Sequence, residues 1–341
     1  MKKTTRYLDL QKTAKFIREK GAENIIQELL GYIEEDFKRF EDFQKMPRTA
    51  HHSEVGVCEL MPIGDDKTYT FKYVNGHPSN PSKNFLTVMG VGLLADVQTG
   101  YPLLFSEMTF LTALRTAATS VFAAKLLAKK NPKKMALIGN GCQSEFQALG
   151  FHKCLGIEEI HCYDVDEKAT EKLMKNLAHV EGLKLIKFES TKEAVKGCDI
   201  VTTVTADKKL AIILTADMIE PGMHLNAVGG DCPGKTELES KILHMGNVYV
   251  EFEPQSRIEG EIQHQAPDFK VTHINEVAKA GGIDRKDDEI TIFDSVGFAI
   301  EDFSVLRYIY ENAEKENIGE EVILVPEIED PKNLFGALEL Y

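Results

Sequence analysis

The sequence lacks the features of a membrane or secreted protein. None of its apolar runs approaches the ~18–20 residues that a membrane span needs. The first ten residues are polar, and they lack the apolar core of a signal peptide. The six cysteines include no C-x-x-C pair, so neither a zinc site nor a thioredoxin-like redox pair is expected. These absences predict a cytoplasmic protein with reduced cysteines.

Positive charge is scarce relative to negative charge. The chain has 40 Lys and Arg against 54 Asp and Glu, which gives a net charge of −14. A partner such as a nucleic acid or an anionic membrane would need a basic face, so we expect neither.

His51, His52 and His77 lack a third ligand at a suitable spacing, so no metal site is expected.

The order of apolar patterns predicts an α/β fold. Residues 10–45, 106–129 and 301–316 have the apolar spacing of helices. From residue 133 onward, short strand-like runs alternate with helical segments, which predicts βαβ units and a parallel sheet. The expected strands of this sheet are 135–138, 160–163, 183–188, 200–204, 224–228, 248–252 and 290–293.

Length and pattern together predict two domains. The 341 residues, 43% of them hydrophobic, are enough for about two folded units. Short strands and turns between Cys58 and Leu104 differ from the alternating pattern that follows. We therefore expect a Rossmann-type, nucleotide-binding domain at 119–302, inserted into a second, α+β domain built from residues 1–118 and 303–341.

A glycine-rich turn follows the first strand of the predicted parallel sheet. The segment Gly139-Asn-Gly-Cys-Gln-Ser144 leads into a helical stretch, as a dinucleotide-binding fingerprint does. Gly139 permits a tight turn, and Gly141 lets the backbone approach a pyrophosphate at the helix N-terminus. Asp164 lies 20 residues beyond Ser144, where an acid binds the ribose hydroxyls and repels a 2′-phosphate. The combination predicts a site for NAD rather than NADP, although Asp164 alone would be read as a solvated acid at a strand end.

A second acid lies in the segment Asn226-Ala-Val-Gly-Gly-Asp-Cys-Pro-Gly-Lys235, at the end of a later strand. Ligands of open α/β sheets bind beyond the carboxyl ends of the strands, so Asp231 is expected to face the same crevice as Gly139 and Asp164. An acid in such a segment is more often a turn former. The residues alone leave its role open.

Five segments of the chain carry a family resemblance: Lys72-Tyr-Val-Asn-Gly-His-Pro78, Ala113-Leu-Arg-Thr-Ala117, Gly139-Asn-Gly-Cys-Gln-Ser144, Ala227-Val-Gly-Gly-Asp-Cys-Pro-Gly-Lys235 and Phe293-Asp-Ser-Val-Gly297. Together they resemble the ornithine cyclodeaminase/mu-crystallin family, from about Thr49 to Pro326. Many dehydrogenases share the glycine turn, whereas the first and fourth segments are more specific. These two favour the cyclodeaminase branch over alanine dehydrogenases and crystallin-like relatives.

The resemblance implies NAD-dependent conversion of L-ornithine to L-proline and ammonia. It also implies a homodimer in which the non-Rossmann domain binds substrate and forms much of the interface. By similarity, Arg48 and Lys72 hold the substrate carboxylate, and Val296 contacts the substrate. Glu59 lies near the amino groups, and Asp231 is the general acid/base. The residues implied around the cofactor are Thr87, Arg115, Gly139, Gly141, Cys142, Gln143, Ser144, Asp164, Thr205, Val228, Gly229, Gly230, Asp231, Lys235 and Ser295; Cys142 stands where the family often has alanine.

The implied reaction accounts for these residue types. Two cations suit a carboxylate, and an arginine such as Arg48 can bind one in bidentate fashion. Both amines of ornithine must lose protons before they react, which requires a carboxylate base such as Asp231. Glu59 lies in an apolar segment, where an accidental acid is less expected. Without the resemblance, Arg48 and Lys72 would be read as surface cations.

Three classes of function stay open. The first is the cyclising ammonia-lyase described above. The second is a related family enzyme, such as a lysine cyclodeaminase, an alanine dehydrogenase or a cyclic ketimine reductase. The third is a non-catalytic NAD-binding protein, against which Glu59, Lys72 and Asp231 weigh. Ornithine and lysine differ by one methylene, which a pocket distinguishes by only ~1–3 kcal/mol, so the sequence leaves this selectivity open.

Overall fold

The structure is a computed structural model that describes residues 4–206, 211–230 and 232–340. Its N-terminal third contains six strands and three helices. The strands are β1 (Thr5–Leu8), β2 (Thr49–His52), β3 (Val57–Gly64), β4 (Thr68–Gly76), β5 (Gly90–Asp96) and β6 (Pro102–Glu107). The helices are α1 (Leu10–Lys20), α2 (Ala22–Lys38) and α3 (Thr109–Leu127).

In the remainder of the described chain, an α-helix follows most of the strands. The strands are β7 (Lys134–Ile138), β8 (Glu159–Tyr163), β9 (Lys184–Lys187), β10 (Ile200–Thr203), β11 (His224–Ala227), β12 (Asn247–Val250), β13 (Thr272–His273), β14 (Thr291–Asp294) and β15 (Glu320–Val322). The helices are α4 (Ser144–Leu155), α5 (Glu167–Leu177), α6 (Thr191–Val195), α7 (Glu253–Glu259), α8 (Ile274–Ala280) and α9 (Ala299–Glu316).

Two sheets organise the described residues. The first has the order β15-β1-β6-β5-β4-β3-β2 and is antiparallel except where β1 pairs with β6. The second has the order β13-β12-β14-β11-β10-β7-β8-β9, and all of its described pairings are parallel. The predicted α/β fold with a Rossmann-type parallel sheet is confirmed. Strand order reverses between β7 and β10, where such sheets open a ligand crevice.

The helix predicted over residues 10–45 is two helices. Gly21, with φ +88°, ends α1 and precedes α2, because this backbone conformation is costly for residues with a Cβ atom. The Asp9 side chain caps α1 by accepting the N–H of Lys12. The apolar stripe of α2 packs into the core, where it contacts α3 and α9. Its buried hydrophobic members are Ile25, Ile26, Leu29, Ile33 and Phe37.

Helix α3 is the one helix of the described residues whose length and apolar composition would suit a membrane span. Most of it is buried inside the protein, where it contacts α2, α4 and α9. It also carries Arg115, which forms buried ion pairs. These contacts are those of a core helix.

The two sheets are built from the two parts of the chain that the sequence analysis separates. Residues 5–107 and 320–322 form the first sheet, and residues 134–294 form the second. The expected limits at 118/119 and 302/303 fall inside α3 and α9, and one hydrophobic cluster includes Leu104 and Phe293 from opposite sheets. The exact division into domains stays a prediction.

Candidate active site

A cavity of about 180 Å³ lies where the two sheets face each other, at the carboxyl ends of β10, β11 and β14. This volume exceeds the ~30 Å³ of a water molecule several-fold, so it can hold part of an organic ligand. Twelve of the residues that the resemblance singles out line it. They are Arg48, Glu59, Lys72, Thr87, Arg115, Gln143, Thr205, Val228, Gly229, Lys235, Ser295 and Val296.

Seven further site candidates do not line this cavity or cannot be described. Gly139, Gly141, Cys142 and Ser144 form the turn between β7 and α4, and Asp164 follows β8. Gly230 lies next to the lining residue Gly229 and is buried. Asp231 lies outside the described residues.

The glycine turn has the geometry of a phosphate cradle. Gly139 has φ +94°, and a Cβ atom there would lie 2.8 Å from the carbonyl oxygen of Val204. A Cβ atom on Gly141 would meet nothing within 4 Å, so the turn faces open space. Ser144 begins α4, and its Oγ donates to the carbonyl of Gly141 at 2.8 Å. The turn thus leaves room for an anion at a helix N-terminus, as a dinucleotide requires.

Asp164 is tied to this turn. One of its carboxylate oxygens accepts the N–H of Asn140 at 2.6 Å, and the other accepts the N–H of Asp166 at 2.8 Å. Each oxygen has more than one lone pair, so the carboxylate can still accept ribose hydroxyls. The arrangement joins the end of β8 to the turn after β7.

Gln143 adds an unpaired polar atom to the cavity. It is the N-cap residue of α4 and lines the cavity. Its Oε1 atom is buried and has no hydrogen-bond partner. Buried polar atoms are ordinarily bonded, so this atom indicates a ligand position. Together with the glycine turn and Asp164, it fits a dinucleotide.

Arg48 lies just before β2, and its guanidinium is held by the protein itself. Nη2 donates to the carbonyls of Val296 and Gly297 at 2.6 and 2.7 Å. Nη1 donates to Glu59 at 3.1 Å, and Nε lies 3.1 Å from a carboxylate oxygen of Glu259. Three of its N–H groups donate hydrogen bonds and Nε faces the carboxylate of Glu259, so a bidentate carboxylate would have to displace one of these partners. The side chain of Arg48 is only 7% exposed, so its interpretation as a surface cation is wrong.

Glu59 projects from β3 into the cavity. It is 7% exposed, and one of its oxygens receives the hydrogen bond from Arg48. Its other oxygen, Oε1, is buried and has no hydrogen-bond partner. This free acceptor suits a ligand ammonium, because a buried carboxylate oxygen left unpaired is costly.

Lys72 and Arg115 share one acid. Lys72 is 1% exposed, and its Nζ donates to Oδ1 of Asp302 at 2.8 Å. The Nε atom of Arg115 lies 3.1 Å from the same oxygen, and Arg115 also pairs with Glu301. Burial, reinforced by the nearby charge of Arg115, lowers the pKa of Lys72 to about 8. Lys72 is therefore no surface cation, and Glu301 and Asp302 are site residues that the sequence analysis missed.

Glu251 is another acid that the sequence analysis missed. It follows β12, and its carboxylate accepts the Oγ–H of Ser295 at 2.7 Å. It also accepts the N–H groups of Val296 and Gly297 at 3.3 Å. Burial, and next the charge of Glu301, raises the pKa of Glu251 to about 8. Glu251 thereby holds the segment whose carbonyls bind Arg48.

The comparisons with known proteins agree with this geometry. A profile described as the ornithine cyclodeaminase/mu-crystallin family matches residues 11–317. A protein of Agrobacterium fabrum (strain C58) named ornithine cyclodeaminase is 54% identical, over 93% of this chain and 90% of the relative.

Two solved structures share the fold over nearly their whole length. An archaeal alanine dehydrogenase dimer with bound NAD is 32% identical with a TM-score of 0.85, covering 94% of this chain and 100% of that one. A lysine cyclodeaminase, described as recognising L-lysine, L-ornithine and L-2,4-diaminobutyric acid, is 25% identical with a TM-score of 0.90. That match covers 97% of this chain and 99% of the solved one. The chain belongs to the ornithine cyclodeaminase/mu-crystallin family.

Proposed function

We propose that this chain is an NAD-dependent ornithine cyclodeaminase, which converts L-ornithine to L-proline and ammonia. The relative in Agrobacterium fabrum bears that name at 54% identity. The observation that carries the proposal is the cavity itself. It combines the buried side chains of the cations Arg48 and Lys72 with the unpartnered oxygen of Glu59, at the strand ends beside a dinucleotide turn.

The cofactor fits the residues present. The turn at Gly139–Ser144 would hold the pyrophosphate, and Asp164 the adenosine ribose. Thr205, Lys235 and Ser295 line the cavity on the side where the strands of the parallel sheet end. Bound NAD supplies reversible hydride transfer at the substrate Cα, so the cofactor is regenerated in each turnover.

The substrate carboxylate is the natural ligand of the cations. Lys72 retains N–H donors beyond the one given to Asp302, since an ammonium has three. The guanidinium of Arg48 lies at the same cavity and adds a second positive charge. Val296, whose carbonyl holds Arg48, lies against the same cavity. A carboxylate bound here fixes Cα at one end of the substrate.

Glu59 and Asp231 act on the two amino groups of the substrate. Glu59 Oε1 accepts a hydrogen bond from a substrate ammonium. Asp231 is the general acid/base, which takes a proton from a substrate ammonium; such catalysis typically raises the rate ~10²–10⁴-fold. Holding the δ-amine near Cα makes ring closure intramolecular, where effective molarities of ~10⁵ M or more are attainable. Attack of the δ-amine on Cα after hydride has left that carbon would expel the α-amino group as ammonia and give a five-membered cyclic imine, which return of the hydride would reduce to proline.

One assay separates the proposed function from its relatives. Purified protein is incubated with L-ornithine and a catalytic amount of NAD, while ammonia, proline and NADH absorbance are followed. Proline without net NADH supports a cyclodeaminase. NADH equal to the substrate consumed indicates a net dehydrogenase, and no turnover of any amino acid indicates a non-catalytic NAD-binding protein. L-Lysine in parallel reactions measures the preference between the two diamines.

We also propose that the protein is a homodimer joined through the outer face of the first sheet. Leu60, Tyr73 and Val91 are direct cross-strand neighbours on β3, β4 and β5. They are 40%, 40% and 37% exposed, which makes a contiguous apolar row of the kind that marks an interface. Light scattering should give a dimer for the wild type and a smaller species for Leu60→Lys. Val165→Lys, at a residue 93% exposed outside this sheet, is the control.

Two further assignments complete the proposal. Residues 119–302 form the NAD-binding domain, and residues 1–118 with 303–341 form the domain for substrate binding and dimerisation. The protein is cytoplasmic, as its six free cysteines support.

A further inference from the structure

The glycine pair Gly229–Gly230 lies against two buried carboxylates. Neither glycine has a positive φ, so backbone conformation does not require glycine here. A Cβ atom on Gly229 would lie 2.1 Å from Oε1 of Glu237, and one on Gly230 would lie 2.8 Å from Oε1 of Glu261. The pair is therefore glycine because carboxylates occupy the space that side chains would need.

Glu237 joins the ends of two neighbouring strands. It is 1% exposed, and its Oε1 accepts both the N–H and the Oγ–H of Thr205, at 2.9 and 2.5 Å. Its Oε2 accepts the N–H of Gly229 at 2.9 Å. Thr205 lies just beyond β10 and Gly229 just beyond β11, and both line the cavity. One carboxylate thus sets the separation of two cavity-lining loops.

The position of Glu237 is fixed by a second and a third acid. Glu261 accepts the backbone N–H of Glu237 at 2.7 Å, and Asp294 accepts the backbone N–H of Glu261 at 2.9 Å. Burial raises the pKa of Glu261 well above its usual value and that of Asp294 to about 7. The three acids form a ladder from β14 to the cavity, in which each carboxylate holds the backbone of the next acid.

We propose that Glu237 is a positioning residue, which aligns Thr205 and Gly229 for the cofactor and orients the segment that leads to Asp231. This rests on the proposed NAD-dependent function. Three donors converge on its two oxygens, and a carboxylate meets them all because it only accepts hydrogen bonds. A glutamine would turn an NH₂ group toward at least one of these donors. Glu237→Gln should therefore keep the shape of the side chain but lose its hold on the end of β10 or of β11.

The test compares Glu237→Gln with Glu239→Gln. Glu239 lies on the same segment and accepts the N–H of Ala216 at 2.7 Å, but it does not line the cavity. For Glu237→Gln we expect NADH affinity, measured by fluorescence titration, to fall by about tenfold or more, as for lost hydrogen bonds to a buried charge. We also expect faster amide hydrogen exchange at Thr205 or Gly229 and a lower kcat. Glu239→Gln should leave all three unchanged.

A purely structural role predicts a different result. Both variants would then lose thermal stability alone, with NADH affinity, local exchange and kcat as in the wild type, and this outcome would overturn the proposal. If Glu237→Gln does not fold, Thr205→Val removes one of the three bonds and Thr205→Ser restores it. Rescue of NADH affinity by serine supports the proposal, and equal affinity of the valine variant and the wild type refutes it.

Failure of the proposed function would give a different result from failure of the proposal about Glu237. A wild type that binds NADH without converting ornithine would refute the cyclodeaminase assignment. NADH affinity and hydrogen exchange would still report on Glu237 in that protein.

Discussion

The Nζ atom of Lys72 lies 2.8 Å from Oδ1 of Asp302, and each side chain is 1% exposed. Arg115 approaches the same oxygen and also pairs with Glu301, so two buried carboxylates balance two buried cations. Removal of one partner from such a group is costly, because it leaves an uncompensated buried charge. The two cations are thereby held at the cavity with little exposure to solvent.

Asp302→Asn should weaken substrate binding and also destabilise the fold. Without the carboxylate, Lys72 loses a contact that favours its charged form, so it binds the substrate carboxylate less well. We expect KM for L-ornithine to rise by at least about tenfold, with a loss of stability on the order of 3–5 kcal/mol. Asp65→Asn, which breaks the Arg39 pair outside the cavity, should lose stability with KM unchanged. An unchanged KM in Asp302→Asn would separate this pair from substrate binding.

The pH dependence of carboxylate binding follows from the lowered pKa of Lys72. Below about pH 8 the free protein already carries the ammonium, whereas above it a proton must be taken up on binding. The affinity should therefore fall as pH rises through about 8, by up to about tenfold per pH unit. Pentanoate is a suitable probe, since its own charge does not change in this range. Asp302→Asn should move the fall to lower pH, and a flat profile in the wild type would contradict this role of Lys72.

Much of the parallel sheet could be predicted from sequence because its signals are local. Each strand is a short apolar run, and the glycine turn follows β7 directly. The strands β1 and β15 were not predicted. They are three or four residues long, and they pair with each other from opposite ends of the chain. No local pattern encodes such a pairing.

Some acids around the site could likewise be predicted from local sequence, and others could not. Glu251 follows an apolar strand, and Asp294 ends one. Both could have been recognised from sequence, as Glu59 was, because an acid is unexpected in apolar surroundings. Glu301 and Asp302 lie near the start of α9, where acids are expected to favour the helix N-terminus without any further role. Only the folded chain brings them against Lys72 and Arg115.

Asp164→Ala should weaken NAD binding and relax the preference against NADP. The substitution removes the acceptor for ribose hydroxyls, the repulsion of a 2′-phosphate and the bond to Asn140 in the glycine turn. We expect NAD affinity to fall while NADP affinity falls less or rises. Asp166→Ala, which removes the cap of α5, is the neighbouring control and should leave the ratio of the two affinities unchanged. Unchanged affinities in Asp164→Ala would mean that this acid does not bind the ribose.

Asp231→Asn should keep cofactor binding and lose turnover. An amide has nearly the shape of a carboxylate but cannot take up a proton, so the defect should appear in kcat. We expect kcat to fall by ~10²-fold or more, with NADH affinity within about twofold of the wild type. Proline formation near the wild-type rate across the pH range would remove Asp231 from the acid/base role.

The internal redox cycle can be tested with a label at Cα. If hydride leaves Cα and returns to the same carbon, L-ornithine deuterated at Cα should yield proline deuterated at C2 in ordinary water. Mass spectrometry of the proline measures this retention. Elimination through proton abstraction would instead exchange the label with water. Direct displacement at Cα would keep the label but would not need NAD.

Two results are therefore required together, retention of deuterium and strict dependence on NAD. The dependence on NAD is measured with cofactor-free enzyme, prepared by exhaustive removal of bound nucleotide. Addition of NAD back to this preparation should restore full activity, which checks that the treatment itself does not inactivate the protein. Loss of the label, or full activity without NAD, would exclude the proposed cycle. Either result would also leave the turn at Gly139–Ser144 without its function in this reaction.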